Sequence, residues 1–441
     1  MQKIAAACNE CRFFCIYIEV RIKKRMKKLV NILMVLCLAA GLSSCTAGKA
    51  DIAGRESLPG ESDYKMEGER GDAPGEGYDE TSDGDIGEGQ DYPNTQAGLV
   101  TAGEWCDLDN WDFWGNLITG ESYQEMSEYW GFWTNNRIAV EVTDKNGKPI
   151  AGVKVAIERS GADIWNAITD NLGRAECWLG MFQKEEYVAS RDGLTLVVDG
   201  QAIEGSPKVV PWDCANGVNV NKVVMESARS AAEKADIAFI VDATGSMADE
   251  IDFLKQDLLD ILTKVNAKQG SVAFRTAAVF YRDEGDEYLT RYNNFSADFA
   301  TTTRFISEQF ADGGGDYPEA VHSALDCGLQ NLSWDRDAKT RIAFLLLDAP
   351  AHHNDKVINS LHQLIENYAS AGIKIIPIAA SGVDKNTEFM LRFFAIATNG
   401  TYVFITNHSG IGNDHIEASV GDFEVELLNE LMIRLIEKYT N

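Results

Sequence analysis

From Arg137 the chain alternates apolar and polar positions: Ile138, Val140 and Val142 share one side, and Asn146-Gly147 supplies a tight turn. Val153, Val155 and Ile157 then alternate again. Strand-like runs follow at Trp165–Thr169, Arg174–Met181, Leu194–Val198 and Val218–Met225, punctuated by Asp-Asn-Leu-Gly, Arg-Asp-Gly and Asp-Gly. Short strands at this spacing predict an all-β antiparallel sandwich. After Ser227–Lys234, which reads as a short helical linker, the pattern changes. Ile237–Val241 is an unbroken apolar run, as a strand buried on both faces requires. Ile251, Leu254, Leu258, Leu259 and Leu262 then recur at helical spacing. Apolar runs at Val272–Tyr281, Ile342–Leu347, Ile373–Ala380 and Tyr402–Ile405 are separated by helical patterns. These are Phe305–Phe310, Ala320–Leu332, Val357–Ala371, Thr387–Ala397 and Phe423–Tyr439. Strand and helix alternating over this length predict an α/β fold with a doubly wound, mostly parallel sheet.

The N-terminal part carries different signals. Lys27-Lys28, an apolar stretch from Leu29 to Gly41 and small residues before Cys45 have the layout of a secretory signal, too short to span a bilayer. Leu42-Ser43-Ser44-Cys45 resembles the lipobox of bacterial lipoproteins. The resemblance implies that Cys45 is a lipid anchor and that the rest is exported to the cell envelope. Thr46 rather than Asp after the anchor favours the outer membrane, on its periplasmic face or at the cell surface. Residues 1–25 fit poorly before a signal, and Met26-Lys-Lys is a natural start. From Asp51 to Asp91 there are 14 acidic and 3 basic residues with almost no aliphatics, so this stretch reads as a self-repelling tether. An aromatic-rich stretch from Trp105 to Trp133 follows, expected mainly as core packed on the next domain, with a glycan platform or partner surface as the alternatives. The expected organisation is therefore 1–45 signal, 46–98 acidic linker, 99–228 aromatic segment plus sandwich, and 235–441 α/β domain.

Charge narrows the partners. The 441 residues hold 40 Lys+Arg against 68 Asp+Glu. Phosphate backbones and anionic headgroups repel such a chain, which excludes nucleic acid and leaves cations or basic protein surfaces. The only membrane contact expected is the lipid anchor. Of the cysteines after Cys45, Cys177 and Cys327 read as core thiols. Cys106 and Cys214 each lie beside a Trp and flank the first folded part, and they form the preferred disulfide pair.

In a doubly wound sheet, ligands bind beyond the carboxyl ends of the strands, where strand order reverses. The run Ile237–Val241 ends in Asp242-Ala-Thr244-Gly-Ser246, one carboxylate and two hydroxyls at alternate positions. Such hard oxygens suit Mg²⁺, with Mn²⁺ or Ca²⁺ as alternatives. The Ile342–Leu347 run ends in Asp348, and Gly313-Gly-Gly-Asp316 precedes Pro318-Glu319-Ala320. Asp-x-Thr-x-Ser resembles the Asp-x-Ser-x-Ser signature of von Willebrand A domains, Rossmann-like in architecture. Tyr281-Arg282-Asp283, Gly-Gly-Gly-Asp-Tyr-Pro-Glu and Asp-Ala-Pro-Ala-His look similar to one branch of that superfamily. The resemblance implies a metal-ion-dependent adhesion site. In it Thr244 and Ser246 would coordinate directly, Asp242 and Asp348 mainly through waters, and a partner protein's carboxylate would complete the octahedron. The family usually supplies a Thr from the loop that here reads Gly-Gly-Gly-Asp, so Asp316 is the nearest candidate there. A direct Asp ligand would weaken the pull on an incoming carboxylate. The passage Val-Thr-Asp-Lys-Asn-Gly-Lys-Pro-Ile-Ala-Gly-Val, then Ala-Ile-Thr-Asp-Asn-Leu-Gly-Arg-Ala, resembles bacterial Ig-like and carboxypeptidase-regulatory-like spacer domains.

His352 and His353 lack ligand spacing for zinc and read as a surface loop. Asp283, Glu284, Asp286 and Glu287 read as a solvated acidic rim. No nucleophile–base pair is visible, so the expectation is a binding protein rather than an enzyme, engaged in adhesion or scaffolding. Two rivals stand beside it. One is a structural interaction module with a degenerate metal site. The other is a metal-dependent hydrolase with His352 as its base.

Overall fold

The computed structural model describes residues 97–441, apart from 185–190, 213–217, 227–230, 250, 268–271, 409 and 412–413. The expected signal, the anchor Cys45, the tether and Cys214 therefore lie outside the described residues. The chain runs β1 Thr101–Trp105, α1 Trp111–Ile118, α2 Glu121–Trp130, β2 Arg137–Asp144, β3 Lys154–Arg159, β4 Ala162–Ile168, β5 Arg174–Trp178, β6 Leu194–Val198, β7 Gln201–Ala202 and β8 Asn221–Met225. It continues β9 Ala232–Asp242, α3 Ile251–Ala267, β10 Ala273–Tyr281, β11 Thr290–Ser296, α4 Phe299–Ser307, α5 Val321–Gln330 and β12 Ala338–Leu347. The last elements are α6 Asp355–Ser370, β13 Ile373–Ala379, α7 Lys385–Ala397, β14 Tyr402–Ile405, β15 Glu426–Leu427 and α8 Leu428–Thr440.

The large sheet has the order β11-β10-β9-β12-β13-β14-β1-β15. From β10 to β14 its strands are parallel, and β11 and β1 are antiparallel additions at its two sides. Each central strand is buried on both faces, which explains the unbroken apolar runs. Along β9, Ile237, Phe239 and Val241 pack toward α3 and α8, whereas Ala238 and Ile240 face the layer containing α5, α6 and α7. Helix starts follow local chemistry: Asn354 accepts from Val357 N at 3.1 Å to cap α6, and Asp384 accepts from Thr387 N at 2.7 Å to cap α7.

Two smaller sheets, β5-β2-β8 and β4-β3-β6-β7, precede this domain in sequence. They differ from a purely antiparallel sandwich, because β8 lies parallel to β2. The expected helical linker is corrected as well: Ala232–Lys234 already belongs to β9. Ala232 N donates to Asp337 O at 2.9 Å and Lys234 pairs with Asp335 at 2.9 Å, so pairing with β12 extends the strand past its apolar run.

The aromatic segment is core, packed on the α/β domain. Thr101–Trp105 forms β1 inside the large sheet, between β14 and β15. Trp114 of α1 stacks on Phe389 of α7 at 6.1 Å, and Phe132 lies 4.2 Å from Phe393. Arg392 donates through both Nε and Nη2 to the Asp107 carboxylate, at 2.9 and 2.5 Å, and both residues are buried. Lys374 of β13 similarly reaches Asp170, beyond β4, at 3.2 Å with both side chains buried. One apolar cluster therefore runs from the small sheets through α6 and α7 to the large sheet. Cys106 is a free thiol whose Sγ lies 3.9 Å from Gly400 O, its pKa pushed up to about 12 by burial. Among the described residues no helix is long and apolar enough to cross a membrane.

Removing one partner of a buried ion pair strands the other in low dielectric. Asp107→Ala is expected to cost about 3–5 kcal/mol in urea unfolding. Asp163→Ala, at the exposed Lys154–Asp163 contact of 3.7 Å, should cost less than about 1 kcal/mol.

Candidate metal centre

Strand order reverses between β9 and β12: the chain leaves β9 for β10 on one side and returns to β12 on the other. Asp242 is the last residue of β9, in register with Tyr281 of β10, and Asp348 follows the last residue of β12. Parallel register pairs Leu346 with Val241, so the two acids leave neighbouring strands at the same end. Adjacent strands lie about 4.8 Å apart, which brings carboxylates from distant sequence positions to one crevice.

Asp242 is fully buried. Its Oδ1 accepts from Thr244 N at 2.9 Å and Thr244 Oγ1 at 2.7 Å, while Oδ2 is buried without a close hydrogen bond. The hydroxyls of Thr244 and Ser246 are 3.2 Å apart. Ser246 is exposed, at the open side of the loop. This loop is pinned to the third one: Gly245 N donates to Gly313 O at 3.2 Å, and Asp312 N donates to Ala243 O at 3.0 Å. A Cβ on Gly245 would meet Gly313 O at 2.8 Å, so only glycine permits the approach. Gly314 has φ +72°, and a Cβ there would lie 3.3 Å from Glu319 Oε1 and 3.4 Å from Thr244 Cβ. Glu319 N donates to Pro350 O at 2.8 Å, tying the third loop to the segment after Asp348.

Asp242, Thr244, Ser246 and Asp348 thus share one crevice. Asp316 is exposed, whereas Glu319 three residues on is the buried carboxylate of that loop, with Oε2 lacking a hydrogen bond. In the sequence Glu319 stands only as the last residue of Gly-Gly-Gly-Asp-Tyr-Pro-Glu, at the start of an apolar helical pattern.

The acids load the crevice with like charge. Burial raises Asp242 to about 6, opposed by its hydrogen bonds from Thr244. Burial, reinforced by the Asp242, Asp283, Asp348 and Asp286 carboxylates, raises Glu319 to about 9. The Tyr281 phenol is pushed well up by burial, then by Asp242, with Asp348 and Glu319 adding to it. The four-residue acidic rim is only partly solvated, a second correction. Asp283 is buried and 2.7 Å from His352 Nε2, and Asp286 accepts from Gly314 N at 2.9 Å and Asp283 N at 3.0 Å. Backbone donors and His352 compensate the burial that a solvated loop would avoid. Among the described residues no three carboxylate, imidazole or thiol groups form a ready ligand set, so a cation here would need the hydroxyls.

Residues 236–410 match the von Willebrand factor A domain. The chain is 26% identical over 216 residues to alpha-protein kinase vwkA of Dictyostelium discoideum, covering 47% of this chain and 33% of that protein. It is 31% identical over 118 residues to the putative ariadne-like RING finger protein R811 of Acanthamoeba polyphaga mimivirus, covering 27% of this chain and 11% of that protein. The chain thus spans a third or less of the length of the curated relatives it matches. A solved structure, the conserved hypothetical protein BatB from Bacteroides thetaiotaomicron, aligns at a TM-score of 0.31 and 12% identity, over 47% of this chain and 98% of that one. The family match over residues 236–410 is thus to a class of domain that commonly mediates protein binding.

A raised carboxyl pKa favours folding only while the group is protonated. The contribution of Asp242 and Glu319 is fully present below about pH 4 and lost as pH rises through about 6 and then about 9. Metal-free protein is expected to melt at falling temperature across that window, and Glu319→Gln should flatten the upper part of the profile.

Proposed function

We propose that this chain is a cell-envelope lipoprotein whose von Willebrand factor A domain captures a protein partner without catalysis, through a divalent cation at the β9–β12 crevice. The carrying observation is the buried Asp242 carboxylate, whose Oδ2 has no close hydrogen bond, beside two hydroxyls 3.2 Å apart and next to the Tyr281 phenol on which Asp348 also acts. A buried carboxylate with an unused lone pair and like-charged neighbours calls for a proton or a cation. Asp242, Thr244, Ser246 and Asp348 would hold Mg²⁺, or Mn²⁺ or Ca²⁺, directly or through water. Hydroxyl ligands carry no charge, so a cation held partly by them keeps attraction for a partner's carboxylate. The proposed anchor is Cys45 in the outer membrane, the acidic stretch before residue 97 a spacer, and the two small sheets an Ig-like element.

Hydrolysis is a second reading with one observation in its favour. His352 is held by Asp283 at 2.7 Å, as a general base would be oriented.

Mg²⁺ binding to the native state alone raises stability by about 2.7 kcal/mol at a hundredfold excess over Kd. A Mg²⁺-dependent thermal shift that is lost in Asp242→Ala, together with partner binding that a chelator abolishes, is the expected result. Chelator-insensitive binding with no shift would instead support a structural module with a degenerate site. Esterase activity that needs Mg²⁺ and disappears in His352→Ala would establish the hydrolase.

A further inference from the structure

The third loop carries two acids at ligand distance in sequence, Asp316 and Glu319, and the fold separates them. Asp316 is exposed. Glu319 is 2% exposed, and its backbone is tied by Glu319 N to Pro350 O at 2.8 Å and by a bridge to Ala351. Its Oε1 and Thr244 Cβ both lie close to Gly314, 3.3 and 3.4 Å from where a Cβ there would stand. Gly314, at φ +72°, leaves that space open. Asp242 Oδ2 and Glu319 Oε2, from different loops, are both buried without a close hydrogen bond, and the Tyr281 phenol lies beside Asp242.

The geometry points to Glu319, not Asp316, as the side chain with which the third loop enters the cation's ligand set. This assignment rests on the metal reading above. It gives the unused Glu319 oxygen a partner and joins the third loop to the Asp-x-Thr-x-Ser loop through one ion. It also changes the electrostatics. Asp242, Asp348 and Glu319 together place three negative charges about a divalent ion, where a loop hydroxyl would leave two. The loaded site is then net anionic: it holds its cation more firmly and draws an incoming carboxylate less. A buried position costs Glu319 the water that would otherwise solvate it, so the charge is not screened away as an exposed Asp316 would be.

The test uses the full chain, with Tb³⁺ luminescence and Mg²⁺-induced thermal shift as readouts. Tb³⁺ held by the acidic N-terminal stretch is subtracted with Asp242→Asn. Glu319→Gln keeps the side chain's shape and removes one charge from a crowded site. It is expected to melt at or above the wild-type temperature without metal, to bind Tb³⁺ at least about tenfold more weakly, and to lose the Mg²⁺ shift. Asp316→Asn is expected to stay within about threefold of wild type. A purely structural Glu319 would give the opposite pattern, a lower metal-free melting temperature with the Mg²⁺ shift intact, and would overturn the assignment. So would an Asp316→Asn loss equal to that of Asp242→Asn. Absence of saturable binding in the wild type removes the metal reading and this assignment together. Wild-type binding that survives Glu319→Gln removes the assignment alone.

Discussion

The crowding of carboxylates where β9 and β12 part is the constraint around which this domain is built. Asp242 is fully buried, Glu319 and Asp348 nearly so, and Asp242 Oδ2 and Glu319 Oε2 have no close hydrogen bond. Buried like charges oppose folding unless protons, hydrogen bonds or cations answer them. The surrounding structure supplies part of the answer through Thr244, whose amide and hydroxyl both donate to Asp242. It also holds the three loops rigidly against one another through Gly245, Gly313 and Pro350.

The same fold rules out an independent stalk carrying an independent head. Strand β1 completes the large sheet from the N-terminal side, and Leu428 N donates to Val100 O at 2.8 Å where the last helix begins. Buried pairs Asp107–Arg392 and Asp170–Lys374 join the early segments to α7 and β13. Such pairs stabilise weakly in themselves but tolerate no misplacement, because each charge is stranded if its partner moves. The small sheets are thereby set against the α6–α7 side by a continuous apolar cluster.

Much of this was legible in the chain. The parallel strands β9, β10, β12, β13 and β14 were visible as apolar runs, and α6, α7 and α8 as helical periodicities. Asp242, Thr244, Ser246 and Asp348 could be placed because they end apolar runs. Less legible was β11, whose Thr290–Ser296 segment is half-exposed and polar and lies at the sheet edge. Illegible was β1: five residues with no alternation, pairing with a strand some three hundred positions away. The two corrections near the site have one cause. In a loop rich in glycine, spacing does not say which of Asp316 and Glu319 turns inward, and only contact with His352 shows that Asp283 is buried.

By itself, the order of residues determined the local periodicities, the α/β class and which strand ends carry oxygen-rich side chains. These depend on burial patterns within windows of a strand or helix, where each residue's neighbours are its sequence neighbours. The tertiary structure alone decided that Thr101–Trp105 joins the large sheet, that β8 runs parallel to β2, and that Glu319 rather than Asp316 is the buried acid of its loop. Those outcomes depend on which distant surface covers a residue, since a carboxylate's burial and charge are set by what packs against it and not by its place in the chain.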